Sequence, residues 1–168
     1  MKPVFLALLL PIILLASCAS PSGYDGYMTR PYTVRGVHYT PMSVNKALYY
    51  DETGEASWYN ESSWFGLKRG NTSLGEKVQA WHVTGAHKTL PLPCRVKVTN
   101  LSNGKELKLR LNDRGPFIPG RIIDLTPRAA KKLGFHEHGI TKVRVQVLSV
   151  GDGKYEKKRP RKKRFLFF

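Results

Sequence analysis

Two carboxyl side chains, Glu76 and Asp113, stand where a chain could use them for acid–base chemistry. Asp113 lies in Leu111-Asn112-Asp113-Arg114-Gly115-Pro116-Phe117, directly behind a stretch from Lys105 to Leu111 that sets Leu107, Leu109 and Leu111 on one face. Pro116 has no amide hydrogen to give a ladder and biases Gly115 away from helix, so pairing must stop there. Asp113 and Arg114 are thereby presented at a rigid strand end. A carboxylate and a guanidinium so placed suit a site, but the same residues can also do no more than close their own turn or pair with each other. Glu76 ends a Gly/Ser/Asn-rich loop from Asn60 to Gly75 that holds Trp64, Phe65, Lys68, Arg69 and Asn71. A loop of that length with aromatic residues more often carries function than not.

The elements that must position these groups are mostly short strands. Ala56-Ser57-Trp58-Tyr59 reads as one, and Trp81 to Thr84 as another, leading into Gly85-Ala86-His87-Lys88-Thr89-Leu90-Pro91. The clearest pattern is a hairpin of Arg95 to Thr99 and Lys105 to Leu111 about Ser102-Asn103-Gly104. Val96 and Val98 share a face with the three leucines, and Arg95, Lys97, Lys105, Lys108 and Arg110 line the other. Gly120 to Leu125 is a short apolar strand. Thr126 is then placed to N-cap a helix with Pro127 at its first position, Ala129, Ala130 and Leu133 inward, and Gly134 as its stop. Gly139 to Leu148 alternates again through Ile140, Val143, Val145 and Val147. Many short strands and one short helix predict a small β-barrel.

The chain of 168 residues carries a net charge of +16 and a pI near 10.1, which calls for an anionic partner. Its first residues select among such partners. Lys2 precedes an apolar run from Val4 to Leu15, too short to span a bilayer but suited to a signal segment. The run ends in Leu15-Ala16-Ser17-Cys18, which resembles the lipobox of bacterial lipoproteins. That resemblance implies a leader over 1–17, a lipid on Cys18, export and no nucleic acid as partner. Ala19 after the cysteine implies the outer membrane. Cys94, the second of two cysteines, is then left without a disulfide partner and reads as a small packed side chain. His136-Glu137-His138 lacks the i, i+4 spacing of a helical metal site and reads as a surface turn, so neither metal nor cofactor is expected. Residues 18–50, rich in Gly, Pro, Ser and Tyr, read as a tether whose six tyrosines from Tyr24 to Tyr50 could stack on sugar rings. From Lys154 the composition turns to dense Lys and Arg, a tail over 151–168 expected to lie on anionic wall polymer or lipid.

Six short motifs occur in order between residues 55 and 148: Ala56-Ser57-Trp58-Tyr59, Thr72-x-x-Gly75-Glu76, Thr84-x-Ala86-His87-Lys88-Thr89-Leu90-Pro91, Val96-x-Val98-Thr99-Asn100, Asn112-Asp113-Arg114-Gly115-Pro116 and Arg121-Ile122-Ile123-Asp124-Leu125. With the lipobox before them, they resemble the rare lipoprotein A family. The resemblance implies a six-stranded double-psi β-barrel over 51–150 with one or two short helices, related in fold to expansins and barwin proteins. It also implies an endolytic lytic transglycosylase that cuts peptidoglycan glycan strands, preferably stripped of stem peptides. Glu76 and Asp113 match the two carboxylates associated with that activity, while Tyr59, Thr72, His87, Asn112 and Arg114 fall at positions expected to bind substrate. Asn60, Leu74 and Gln79 depart from the family's usual Gly, Asn and Asp, and the loop from Phe65 to Thr72 is longer than usual. The basic tail stands where many members carry a sporulation-related repeat.

Two readings follow. In the first, Asp113 exchanges the proton at the glycosidic bond and Glu76 orients the sugar or stabilises the oxocarbenium; an Arg114 guanidinium turned onto Asp113 would exchange those roles. In the second, the groove belongs to a non-catalytic, expansin-like peptidoglycan-binding lipoprotein. The envelope location expected in either case is the periplasmic face of the outer membrane, otherwise the outer face of the cytoplasmic membrane.

Overall fold

The computed structural model describes residues 28–59 and 70–156. The strands are β1 (Tyr32–Val34), β2 (Val37–Tyr39), β3 (Asp51–Trp58), β4 (Thr84–His87), β5 (Cys94–Asn100), β6 (Glu106–Asp113), β7 (Arg121–Leu125), β8 (Ile140–Val150) and β9 (Tyr155–Glu156). The helices are α1 (Val44–Ala47) and α2 (Pro127–Leu133), with a 3-10 turn at His136–His138. Strands run in the order β3-β7-β4-β6-β5-β8, and β3 pairs with β8 to close a six-stranded mixed barrel that β9 extends. The pairs β3–β7 and β4–β6 are parallel, and the remaining pairings within the barrel are antiparallel.

Alternation produces the core. Val96, Val98, Leu109, Leu111, Ile123, Leu125, Val143, Val145 and Val147 point inward, joined by Ala56 and by Leu90, Leu92, Leu133 and Phe135 from the connections. Each of these side chains larger than alanine contributes roughly 1.5–3 kcal/mol by leaving water, an upper bound because denatured chains bury some of it already. Cys94 is buried in this core with a free thiol, and burial pushes that thiol up to about 12. Helix α2 is seated by Asn100 and Asn103, whose amides both donate to the Leu133 carbonyl at 3.0 Å. Gly134 ends the helix in the left-handed region at φ 73°.

Four expectations change. Residues 28–50 are not a tether: β1 and β2 form a hairpin, and Ala47 and Tyr50 enter the core. The elements are too short to show periodicity, and what fixes them is long-range. Tyr32 stacks on Tyr39 at 5.3 Å and donates to the Lys88 carbonyl at 2.7 Å. The strand expected at Trp81 to Thr84 begins only at Thr84, because the His82 amide turns back to the Gln79 carbonyl at 3.0 Å and leaves Trp81 55% exposed. Thr126 does not cap α2 with its side chain; its hydroxyl donates instead to the His82 carbonyl at 2.6 Å, tying the helix start to the segment before β4. The tail begins later than residue 151, since Tyr155 and Glu156 pair with Val150 and Ser149. The leader, Cys18, the loop residues Asn60, Trp64, Phe65, Lys68 and Arg69, and the basic run from Lys157 onward lie outside the described residues.

Candidate active site

The last residues of β6 and one tight loop make the site. In that loop, Asn71 bridges to Lys77, the Thr72 amide donates to the Glu76 carbonyl at 2.8 Å, and the Glu76 amide donates to the Thr72 hydroxyl at 3.2 Å. Gly75 takes the left-handed conformation, φ 78°, that lets the chain reverse in so few residues. Thr72 is buried inside the reversal, so it shapes the loop rather than meeting a substrate directly.

The loop holds both carboxyls. Asp113 Oδ1 accepts from the Ser73 amide at 2.8 Å, the Ser73 hydroxyl at 2.6 Å and the Arg114 amide at 2.7 Å. Its Oδ2 has no hydrogen-bond partner among the described residues, so a proton carried by this carboxyl belongs on Oδ2. Glu76 is bound differently. Arg110 Nη1 donates to its two oxygens at 2.8 and 2.9 Å, and Asn112 Nδ2 donates to Oε2 at 2.7 Å. Arg110 in turn forks onto Asp152, with Nε to Oδ1 at 2.6 Å and Nη2 to Oδ2 at 3.0 Å. These bonds to Asp152 and then Glu76 raise the proton affinity of Arg110 and fix it as a cation. Asn112 is only 4% exposed and its Oδ1 finds no partner among the described residues, a sacrifice of about 1–3 kcal/mol that the bond to Glu76 helps explain.

Arg114 does not face Asp113. Its Nη1 donates to the carbonyls of Leu90 at 2.6 Å, Lys88 at 3.2 Å and His87 at 3.4 Å, and Nη2 reaches the Met28 carbonyl at 3.1 Å under the Tyr32 ring. Burial lowers its proton affinity, but the converging carbonyls keep it bound as a structural cation. The guanidinium makes no hydrogen bond to Asp113, although the two charges still attract each other. Gly115 makes this turn with φ 131°, which other residues rarely adopt. His87 is also internal: its Nδ1 accepts from the Thr89 and Leu90 amides at 3.1 and 3.0 Å, which leaves Nε2–H to donate to the Tyr50 hydroxyl at 2.9 Å. Burial, then Arg114 and Lys88, push its pKa down to about 3. Tyr59 follows β3 half-buried, its amide donating to the Leu125 carbonyl at 3.0 Å.

Position on the sheet adds a third carboxyl. Ala86 stands in register between Asp113 on β6 and Asp124 on β7, and Asp124 is in register with Ser57 on β3. The Ser57 hydroxyl donates to Asp124, whose proton affinity is raised by burial against the opposing effect of that bond, Arg121 and Lys88. Among the described residues no group of His, Cys, Asp and Glu is arranged to hold a metal.

The lytic transglycolase family model matches residues 51–145. The endolytic peptidoglycan transglycosylase RlpA of Vibrio cholerae is 37% identical over 191 residues, covering 97% of this chain and 69% of that protein. The chain belongs to the rare lipoprotein A family. The Pseudomonas aeruginosa protein of the same name is 47% identical over 129 residues, 76% of this chain but 36% of the relative, so the chain spans about a third of the latter's length. An expansin of Clavibacter michiganensis superposes with a TM-score of 0.44 at 18% identity, covering 59% of this chain and 50% of that one. The closed barrel is the double-psi barrel expected of the family.

Among the positions at which this rare lipoprotein A chain departs from the family's usual residues, Leu74 packs partly against the core, and Gln79 supplies the carbonyl that turns His82. Ser73 and Arg110 were not singled out from sequence as site residues. Arg110 carries a signal in hindsight: it and Asn112 are two apart on one strand, hence on one face, immediately before Asp113. Ser73 has none, because a serine in a Gly/Ser/Asn-rich loop looks like any other turn residue.

Proposed function

We propose that the chain is an endolytic lytic transglycosylase that cuts peptidoglycan glycan strands, chiefly peptide-stripped ones, to 1,6-anhydromuramyl ends. The observation that supports this is the different treatment of the two carboxyls, one with an open oxygen and one held on both. Asp113 donates the proton on Oδ2 to the glycosidic oxygen as the C1–O bond breaks. Glu76, already accepting on both oxygens, supplies fixed negative charge as the sugar ring becomes positive. Asp113 Oδ2 then takes the proton of the C6 hydroxyl while O6 closes on C1. The ring closes without water, and the carboxyl returns to its starting state. Asn112 holds Glu76, and Ser73 holds Asp113.

Cys18 carries the lipid that places the barrel in the cell envelope, on the periplasmic face of the outer membrane, and the basic residues from Lys154 onward add attraction to anionic polymer or lipid. The test is mass spectrometry of peptide-stripped glycan strands digested by the chain from Ala19 onward. Asp113→Asn should lower release of anhydromuramyl ends by about 10²–10⁴-fold, and Glu76→Gln by about 10²–10³-fold, with glycan binding retained. Reducing-end muramic acid as product would mean hydrolysis. No product from the unaltered chain would leave the glycan-binding reading.

A further inference from the structure

A second feature of the outer barrel surface is not used by this chemistry. Strands β5 and β6 pair so that Arg95 stands opposite Arg110 and Lys97 opposite Lys108. Like charges placed directly across a ladder destabilise it, so two such pairs in succession call for something that offsets them. Half of the charge is offset within the protein. Lys97 meets Glu106 at 3.0 Å, and Arg110 is divided between Glu76 and Asp152. Arg95 and Lys108 are exposed and make no hydrogen bond or close ion pair among the described residues, Lys108 acting only at longer range on Glu106. With Arg110 they line a cavity of about 270 Å³ whose apolar side chains are Val83 and Leu148, the last 37% exposed.

Arg110 belongs to this cavity and also grips Glu76, so cavity and active site share a wall. Lys108 stands two residues, about 7 Å, from Arg110 along β6 and Arg95 stands directly across from Arg110 on β5, so a ligand held against Glu76 need extend only that far to meet both. The wall is mixed in a way that suits a sugar bearing an acid: apolar side chains for C–H faces and methyl groups, two unengaged cations for a carboxylate. We propose that Arg95 and Lys108 form a subsite for the free lactyl carboxylate of a muramic acid residue neighbouring the bond that is cut. The proposal rests on the functional reading above and names what it selects. In a strand that still bears stem peptides that carboxyl is an amide without charge, so the subsite favours stripped strands by charge rather than by size.

The experiment measures equilibrium binding of end-labelled, peptide-stripped strands by fluorescence anisotropy, comparing strands with free lactyl carboxylates against the same strands converted to methylamides. The protein is the chain from Ala19 onward carrying Asp113→Asn, so that the strands stay intact. Free-acid strands should bind about tenfold more tightly than methylamide strands. Adding Arg95→Gln with Lys108→Gln should abolish the difference while leaving methylamide binding unchanged and the thermal midpoint no lower, since both like-charge pairs are relieved, and Arg95→Lys with Lys108→Arg should keep it. Equal affinity for the two strands, or a preference that survives the double glutamine substitution, overturns the subsite. Release of anhydromuramyl ends by the unsubstituted chain is scored separately: its absence beside an intact carboxylate preference removes the catalytic reading and leaves the subsite standing.

Discussion

Acid should unfold this protein through His87, and the size of the effect follows from its surroundings. The imidazole is buried, its Nδ1 already accepts two amide hydrogens, and Arg114 and Lys88 lie nearby, so a second proton has nowhere favourable to sit. Its pKa in the fold is about 3 against 6.5 when free. Between those values the unfolded chain binds the proton and the native one does not. Stability from this residue is therefore complete above pH 6.5 and falls as pH is lowered through the window, at about 1.4 kcal/mol per pH unit. At pH 5.0 the loss is about 2 kcal/mol, a large part of the stability of a domain this size. Urea unfolding followed by tryptophan fluorescence at pH 7.5 and 5.0 would measure it. His87→Gln, which can still accept an amide hydrogen but does not titrate in this range, should be less stable at pH 7.5 and should lack about 2 kcal/mol of the wild-type pH dependence. If wild type and variant lose the same stability on acidification, the histidine is not held neutral, and its placement as an internal strut rather than a sugar ligand is wrong.

Arg110→Gln should lower the rate of anhydromuramyl release by about 10–100-fold with little change in strand binding, because Glu76 loses its clamp, and Arg110→Lys should restore part of the rate; unchanged kinetics would show that Glu76 is oriented without it. Asp124→Asn should stabilise the fold at pH 8, since a carboxyl whose proton affinity is raised by burial contributes its full stability only below its unfolded value, near 3.8, and loses it as pH rises through the folded value. Chemical unfolding of the two proteins at pH 8 and pH 3.5 would check this, with the advantage of the variant confined to the higher pH. Cys18→Ala should leave an uncleaved precursor on an immunoblot of cell extracts; a normally processed, detergent-extracted product would refute lipid attachment at that residue.

What could be read from the sequence is what local chemistry determines. The β5–β6 hairpin, the strand stop at Pro116 and the helix framed by Pro127 and Gly134 all appear where alternation and turn residues place them. Strand β4 begins three residues later than the sequence pattern places it, because Gly85-Ala86-His87 is buried throughout and shows no alternation. The inward turn of the Arg114 side chain is hidden from the sequence for a related reason. An arginine in a turn normally faces water, and nothing local reveals that four carbonyls, from residues as distant as Met28, converge on this one. The tyrosines before β3 likewise gain their partners only in the folded chain, where Tyr32 and Tyr39 pack with Phe117 beside the Asp113 turn.

That clustering bears on why both carboxyls can be held accurately in so small a barrel. Glu76 and Ser73 belong to one reversal, closed by Thr72 and by the Asn71–Lys77 bridge, and each binds a different residue at the end of β6. The carboxyl of the loop is thus tied to the strand, and the carboxyl of the strand is tied to the loop. A displacement of either element stretches bonds to both carboxyls at once, which makes their separation stiffer than either element alone. The opposite side of the turn is braced by Arg114, which sews Asp113's neighbour to the segment 87–90 and to Met28. Residues 28–50, although they precede the matched family region, thereby stabilise the turn that carries Asp113.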